Sequence, residues 1–78
     1  MSSINKPNDL YEKISINIKK YRKEANITQA VLAEKIGVSH EFIRRIESEK
    51  GKKTFSVETI YKISLALEIP ISKLFENI

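Results

Sequence analysis

The side chains best equipped for chemistry crowd into six consecutive positions, which hold His40, Glu41, Arg44 and Arg45. Lys50, Lys52 and Lys53 follow closely. Two adjacent guanidiniums offer planar forks of donors that match phosphate oxygens or the paired acceptors of a guanine edge. A carboxylate such as Glu41 accepts, and an imidazole can do either. This inventory suits recognition of a partner better than bond making. His40 is the single histidine and there is no cysteine, which removes disulfide frameworks, zinc fingers, Cys nucleophiles and iron–sulfur ligation, and no second histidine stands by to partner a nucleophile. Gly37 and Gly51 are the only glycines, and no glycine-rich phosphate loop is present. His40 has no partner at metal-ligand or general-base spacing. The expectation is no catalytic residue, no metal and no cofactor.

The net charge of +4 is unevenly spread: residues 1–27 carry +3, residues 28–55 carry +2 and residues 56–78 carry −1. A basic front and a near-neutral rear suit a protein that turns one face to a polyanion, and an ordinary basic soluble protein has the same balance. With 78 residues there is room for one domain, which hides about 60% of its unfolded surface. Apolar residues at 41% and charged residues at 31% exclude the disordered class. No apolar run approaches the ~18 residues of a membrane span, and no secretory core follows Met1. No membrane partner is expected, and the cytoplasm is the expected location.

These side chains need a scaffold, and its pattern is helical. Residues 1–9 are polar and aperiodic, which predicts a flexible tail ahead of a domain over 10–78. Asp9, with Glu12 three positions later, predicts the first helix start. Leu10, Ile14, Ile18, Tyr21 and Ala25 then form one stripe of a 3.6-residue period that stops near Asn26. Thr28, Ser39 and Ser56 are each cap-forming residues preceded by an apolar residue (Ile27, Val38, Phe55) and followed four later by another (Leu32, Ile43, Ile60). This hydrophobic staple, repeated three times, predicts helices starting at Gln29, His40 and Val57. Pro70, with Ser72 as a cap, marks a final short helix ending near Phe75. No strand-length alternation occurs. The class is all-α, a compact domain of about five helices.

Within Gln29–Ser48, two helices meeting steeply across a short turn require a small residue at their closest approach, one tolerating positive φ, and a cap. Ala33, Gly37 and Ser39 supply these in order. Leu32, Ile36, Val38, Ile43 and Ile46 are spaced to face inward, which leaves His40, Glu41, Arg44 and Arg45 outside.

The ensemble Arg22, Thr28-Gln29, Leu32-Ala33, Gly37-Val38-Ser39 and Ile43 to Glu47 resembles the Cro/repressor-like helix-turn-helix family, also called the xenobiotic-response-element type. The resemblance continues through Leu65-Ala66-Leu67 to Leu74-Phe75 and covers about residues 10–76, with Thr54-Phe55-Ser56 departing from the common Asn-Pro-Ser. It implies a DNA-binding transcriptional regulator whose helix at about His40–Ser48 enters the major groove, with base contacts from the positions of His40, Glu41 and Arg45. Arg44 or Arg45 then engages guanine, Glu41 accepts from cytosine N4, and His40 donates to N7 or O6 or touches a phosphate. Phe42 either meets a thymine methyl or packs on the domain. Plainer readings stand beside these: the arginines form a solvated face, and Glu41 pairs with Arg44 three residues on.

Thr28 and Gln29 at the start of the second helix, Ser39, Ser48, Lys50, Lys52 and Lys53 form the expected phosphate track. Lys19, Lys20 and Lys23 add only long-range field. Arg22 and Glu47 resemble a family ion pair that holds the recognition helix in place. Ile69, Ile71, Leu74, Phe75 and Ile78 exceed what a small core needs, which predicts an isologous homodimer interface. Stand-alone relatives of this length include restriction–modification controller proteins and small phage or plasmid repressors. Double-stranded DNA and a second copy of the chain are the expected partners, with RNA polymerase a further candidate through Glu34 and its neighbours. A protein-interaction adaptor or antitoxin-like module on the same scaffold is the alternative reading.

Overall fold

A computed structural model describes residues 7–48 and 54–78. Four α-helices run in order: α1 (Pro7–Glu24), α2 (Gln29–Ile36), α3 (His40–Glu47) and α4 (Val57–Ala66). A 3₁₀ turn over Ile71–Phe75 closes the chain. No strand occurs among the described residues.

Local hydrogen bonding sets the three central helix starts. The Thr28, Ser39 and Ser56 side chains accept from the backbone N–H of Val31, Phe42 and Thr59, at 3.1, 3.0 and 3.1 Å. Each bond satisfies one donor that a helix otherwise leaves unpaired. Gly37 ends α2 at φ 77°, and Val38 N–H then returns 3.0 Å to Ala33 O. A Cβ at Gly37 would meet nothing within 4 Å, so its glycine answers to backbone conformation and not to crowding.

Three expectations are corrected. α1 begins at Pro7, two residues ahead of Asp9, so residues 7–9 are helical and Asp9 lies in the first turn; residues 1–6 of the expected tail lie outside the described residues. Proline suits a first helical position because the N–H it lacks would be unpaired there anyway. The fifth element is a 3₁₀ turn and not an α-helix: Pro70 occupies its cap position with no side-chain bond, and Ser72 lies inside it. Five residues behind such an uncapped start do not repay the cost of an α-helical nucleus. Leu74, expected at a dimer interface, is fully buried in the monomer core. Ile69, Ile71 and Ile78 also pack against that core, half-buried, while Phe75 is 38% exposed.

The core is drawn from every element: Ile14 and Ile18, Leu32, Ala33 and Ile36, Ile43 and Ile46, Ile60 and Ile63, with Phe55, Leu67 and Leu74. The Phe55 and Tyr11 rings meet edge-on at 5.2 Å. A polar clamp returns the C-terminus to α1. Asn17, itself buried, donates from Nδ2 to Leu74 O and Glu76 O, both at 2.9 Å. The Tyr21 hydroxyl donates to Glu76 Oε1, and Lys20 and Lys73 lie at 3.7 and 3.4 Å from the same carboxylate.

The Tyr21 bond, first among several causes, holds Glu76 below the usual carboxylate range; it also pushes the Tyr21 phenol up to about 12. A lowered acid contributes stability above its ordinary value of 4.5 and loses it as pH falls through the lowered one. A raised phenol contributes below its ordinary 10.0 and loses it as pH climbs toward about 12. The urea midpoint of wild type is therefore expected to exceed that of Tyr21→Phe near neutral pH. That gap should close as pH falls below 4.5, and again as pH rises above 10.0. A gap independent of pH would mean the pair does not form.

Candidate nucleic-acid interface

The α2–Gly37–α3 unit turns one side of α3 inward. Ile43, Ile46 and Glu47 are buried, while His40, Glu41, Arg44 and Arg45 are exposed. What fixes this orientation is a buried ion pair. Arg22 of α1 donates from Nε to Glu47 Oε2 at 2.7 Å and from Nη2 to Glu47 Oε1 at 2.9 Å. The two side chains are only 9% and 2% exposed. Arg22 Nη1 also donates to Ile27 O at 2.8 Å, so one guanidinium joins α1, the link before α2, and the end of α3. Charge-assisted bidentate geometry of this kind is among the stronger polar contacts a protein makes.

Gln29 extends the network. Its Nε2 donates to Glu47 Oε1 at 3.0 Å, and its Oε1 lies 3.2 Å from His40 Nε2. The residue expected to touch phosphate is thus also a link between the buried pair and the first residue of α3.

Each exposed arginine has a partner on its own helix. Glu41 accepts from Arg44 Nε at 3.1 Å and from Nη2 through both oxygens at 2.7 and 2.8 Å. That hydrogen bond, ahead of the surrounding positive charge, holds the Glu41 carboxyl below its usual range. The Arg45 guanidinium sits 5.8 Å from the centre of the Phe42 ring, which is half-buried. A cleft of about 430 Å³ runs past this face, lined by Lys19, Gln29, Glu41, Arg44, Arg45, Glu47 and Ser48.

Lys19, expected to add only long-range field, lines this cleft beside the α3 side chains. The signal was present: Arg22 binding Glu47 draws α1 against α3, and Lys19 lies three residues, about one helical turn, before Arg22 on that side. Thr28 and Ser39 stand at helix starts with their hydroxyls engaged as caps. Ser48 ends α3, and Lys50, Lys52 and Lys53 lie outside the described residues.

A helix-turn-helix family model matches residues 18–74, from α1 through the 3₁₀ turn, with this unit at its centre. The chain belongs to the Cro/C1-type helix-turn-helix family. Among solved structures, it is similar to a single-residue mutant of the restriction–modification controller protein C.Esp1396I. Identity is 31% over 87% of this chain and 88% of that one, with a TM-score of 0.77. A hypothetical transcription factor from Neisseria shares the fold at a TM-score of 0.80, with 18% identity over 99% of this chain and 86% of the other. No curated protein sequence matches this chain significantly. Family and controller likeness together support a DNA-binding regulator.

Removing one partner of the buried pair leaves the other charge uncompensated. Glu47→Ala is expected to cost about 3–5 kcal/mol in urea unfolding. A loss under ~1 kcal/mol would place the pair in effective contact with water.

Proposed function

We propose that the chain is a homodimeric operator-binding regulator of the repressor or autoregulatory controller kind, acting in the cytoplasm. One observation carries the reading. A helix with a buried apolar side is fixed by an ion pair so that His40, Glu41, Arg44 and Arg45 face outward together beside Lys19 and Gln29. Such a face suits the major groove, where bases are told apart by their donors and acceptors. Arg45, which among the described residues is held by a ring contact alone, is the residue to engage a guanine edge through N7 and O6. Arg44, already chelated by Glu41, is second to it. Thr28, Gln29, Ser39, Ser48 and Lys19 lie along the flanks, where phosphates run, and Lys50, Lys52 and Lys53 belong to the same track by sequence. The two adjacent outward arginines favour DNA over the adaptor reading, since an adaptor would be indifferent to losing them.

A module this small makes few base contacts, and pairing two gives half-sites about 34 Å apart. Leu74 is excluded from the pairing surface by its burial. The exposed apolar side chains on the acidic rear are Phe75 and a stripe along α4, Val57, Tyr61 and Leu65, at 71%, 52% and 57% exposure. Their spacing of four residues puts the α4 three on one helix face. Similarity to a restriction–modification controller supports a regulator whose occupancy follows its own concentration. Contact with RNA polymerase through Glu34 and its exposed neighbours would make it an activator as well.

Selection from a random DNA pool is expected to return a two-fold symmetric site. On that site Arg45→Ala should cost about 1–3 kcal/mol and relax choice at one base position per half-site. Lys19→Ala should weaken all sequences alike and reduce the salt slope by about one. Equal losses from both changes on every sequence would defeat the assignment. Sedimentation should show a dimer that Tyr61→Glu converts to monomer, with the helical circular dichroism retained; an unchanged dimer would move the interface elsewhere.

A further inference from the structure

A chain of hydrogen bonds runs from the interior to the tip of α3, and donor–acceptor logic fixes the proton at its end. Glu47 is a carboxylate gripped by Arg22 and can only accept. Gln29 must therefore turn its NH₂ toward Glu47 Oε1, which directs its carbonyl oxygen to His40. A carbonyl oxygen can only accept, so the imidazole must carry its proton on Nε2, 3.2 Å away. In the neutral ring this leaves Nδ1 with a lone pair and no hydrogen.

We propose that His40 is a specificity-determining residue that presents Nδ1 as an acceptor and selects a base amino group, cytosine N4 or adenine N6, over the N7 and O6 acceptors of guanine. The proposal rests on the DNA reading above, because only a helix in the major groove brings His40 to a base edge. His40 is exposed and is the first residue of α3, the end of a recognition helix that reaches bases. An unrestrained imidazole exchanges tautomers and can donate or accept as the base demands. The expectation that His40 donates to N7 or O6 assumed such a ring. Here its donor is already committed to Gln29, and Gln29 cannot reverse without facing its oxygen toward the Glu47 carboxylate. Arg22 and Glu47, which touch no base, would thus act through Gln29 as positioning residues for the base choice.

The tautomer is read without DNA. Two-bond proton–nitrogen correlations on ¹⁵N-labelled protein at pH 8, where an imidazole is ordinarily neutral, identify the protonated nitrogen. Nε2–H with bare Nδ1 is expected in the wild type, and averaging between tautomers in Gln29→Ala. An Nδ1–H ring in the wild type, or a ring unaffected by Gln29→Ala, overturns the proposal. The second arm takes the DNA selected by the wild-type chain and replaces single bases by analogues lacking only the amino group: 2-pyrimidinone for cytosine, purine for adenine. One replacement per half-site should weaken wild-type binding about fivefold or more and leave His40→Ala binding unchanged. If the His40-dependent position responds instead to 7-deazaguanine, which removes only N7, the proposal is overturned. Selective binding in which His40→Ala alters no base preference also overturns it, and leaves the DNA reading standing. A wild-type chain that selects no sequence at all defeats the DNA reading, and the base choice with it, whichever tautomer is found.

Discussion

The contact between Arg22 and Glu47 is the constraint on which the rest of this structure depends. α3 has eight residues, too few to hold a helical conformation or a direction by itself. Ile43 and Ile46 bury one side of it, which leaves only small rotations about the helix axis. Glu47 removes that freedom, since its carboxylate must meet a guanidinium that is tied to α1 and to Ile27 O as well. A buried pair of this kind adds little net stability over well-packed apolar residues, because both ions lose their water. What it supplies here is register: the same bond that satisfies the charges sets which way His40, Glu41, Arg44 and Arg45 point.

The outward arginines and the exposed apolar side chains are carried by different elements. The arginines of α3 lie with Lys19 on one cleft, while the exposed apolar residues of α4 and Phe75 belong to the rear third of the sequence, where the net charge is −1. α1 connects them. Asn17 and Tyr21 hold the C-terminal segment, and Arg22, the next residue along, holds α3. Successive residues point to different sides of a helix, so one turn of α1 can grip both ends of the domain. In the proposed dimer, a rigid α1 would transmit the spacing of the two rear surfaces to the spacing of the two recognition helices.

What could be read in the sequence was what local chemistry decides. Thr28, Ser39 and Ser56 bond to N–H groups three residues away, so the starts of α2, α3 and α4 fall where cap and staple place them. Gly37 is similarly local, because a positive φ is a property of one residue. Two misses, the start of α1 at Pro7 and the 3₁₀ turn after Pro70, are local; those that concern the core and the cleft are not. Leu74 and Ile69 look alike in a string of aliphatics, and only the assembled core, with Asn17 drawing Leu74 O onto α1, decides that Leu74 is interior. The place of Lys19 depends on how α1 packs against α3, and the Gln29–His40 contact depends on the crossing of α2 and α3. None of these follows from spacing along one helix.

The exposed side of α3 also bears on how a regulator of this family avoids binding all DNA equally. Two unpaired arginines on a basic protein would hold any phosphate backbone, which carries no sequence information. Here Arg44 engages Glu41 through Nε and Nη2, so a phosphate approaching it meets a guanidinium whose charge is already largely offset. The carboxylate itself repels phosphate. Because the pair is more than 60% exposed, holding it together contributes little to stability, and in the proposed complex its effect would fall on encounters with DNA. A base edge that offers a donor to Glu41 and an acceptor to Arg44 can replace both halves of the pair at once, whereas a phosphate can satisfy only the arginine. In the proposed DNA complex, discrimination would come as much from what Glu41 refuses as from what Arg45 accepts.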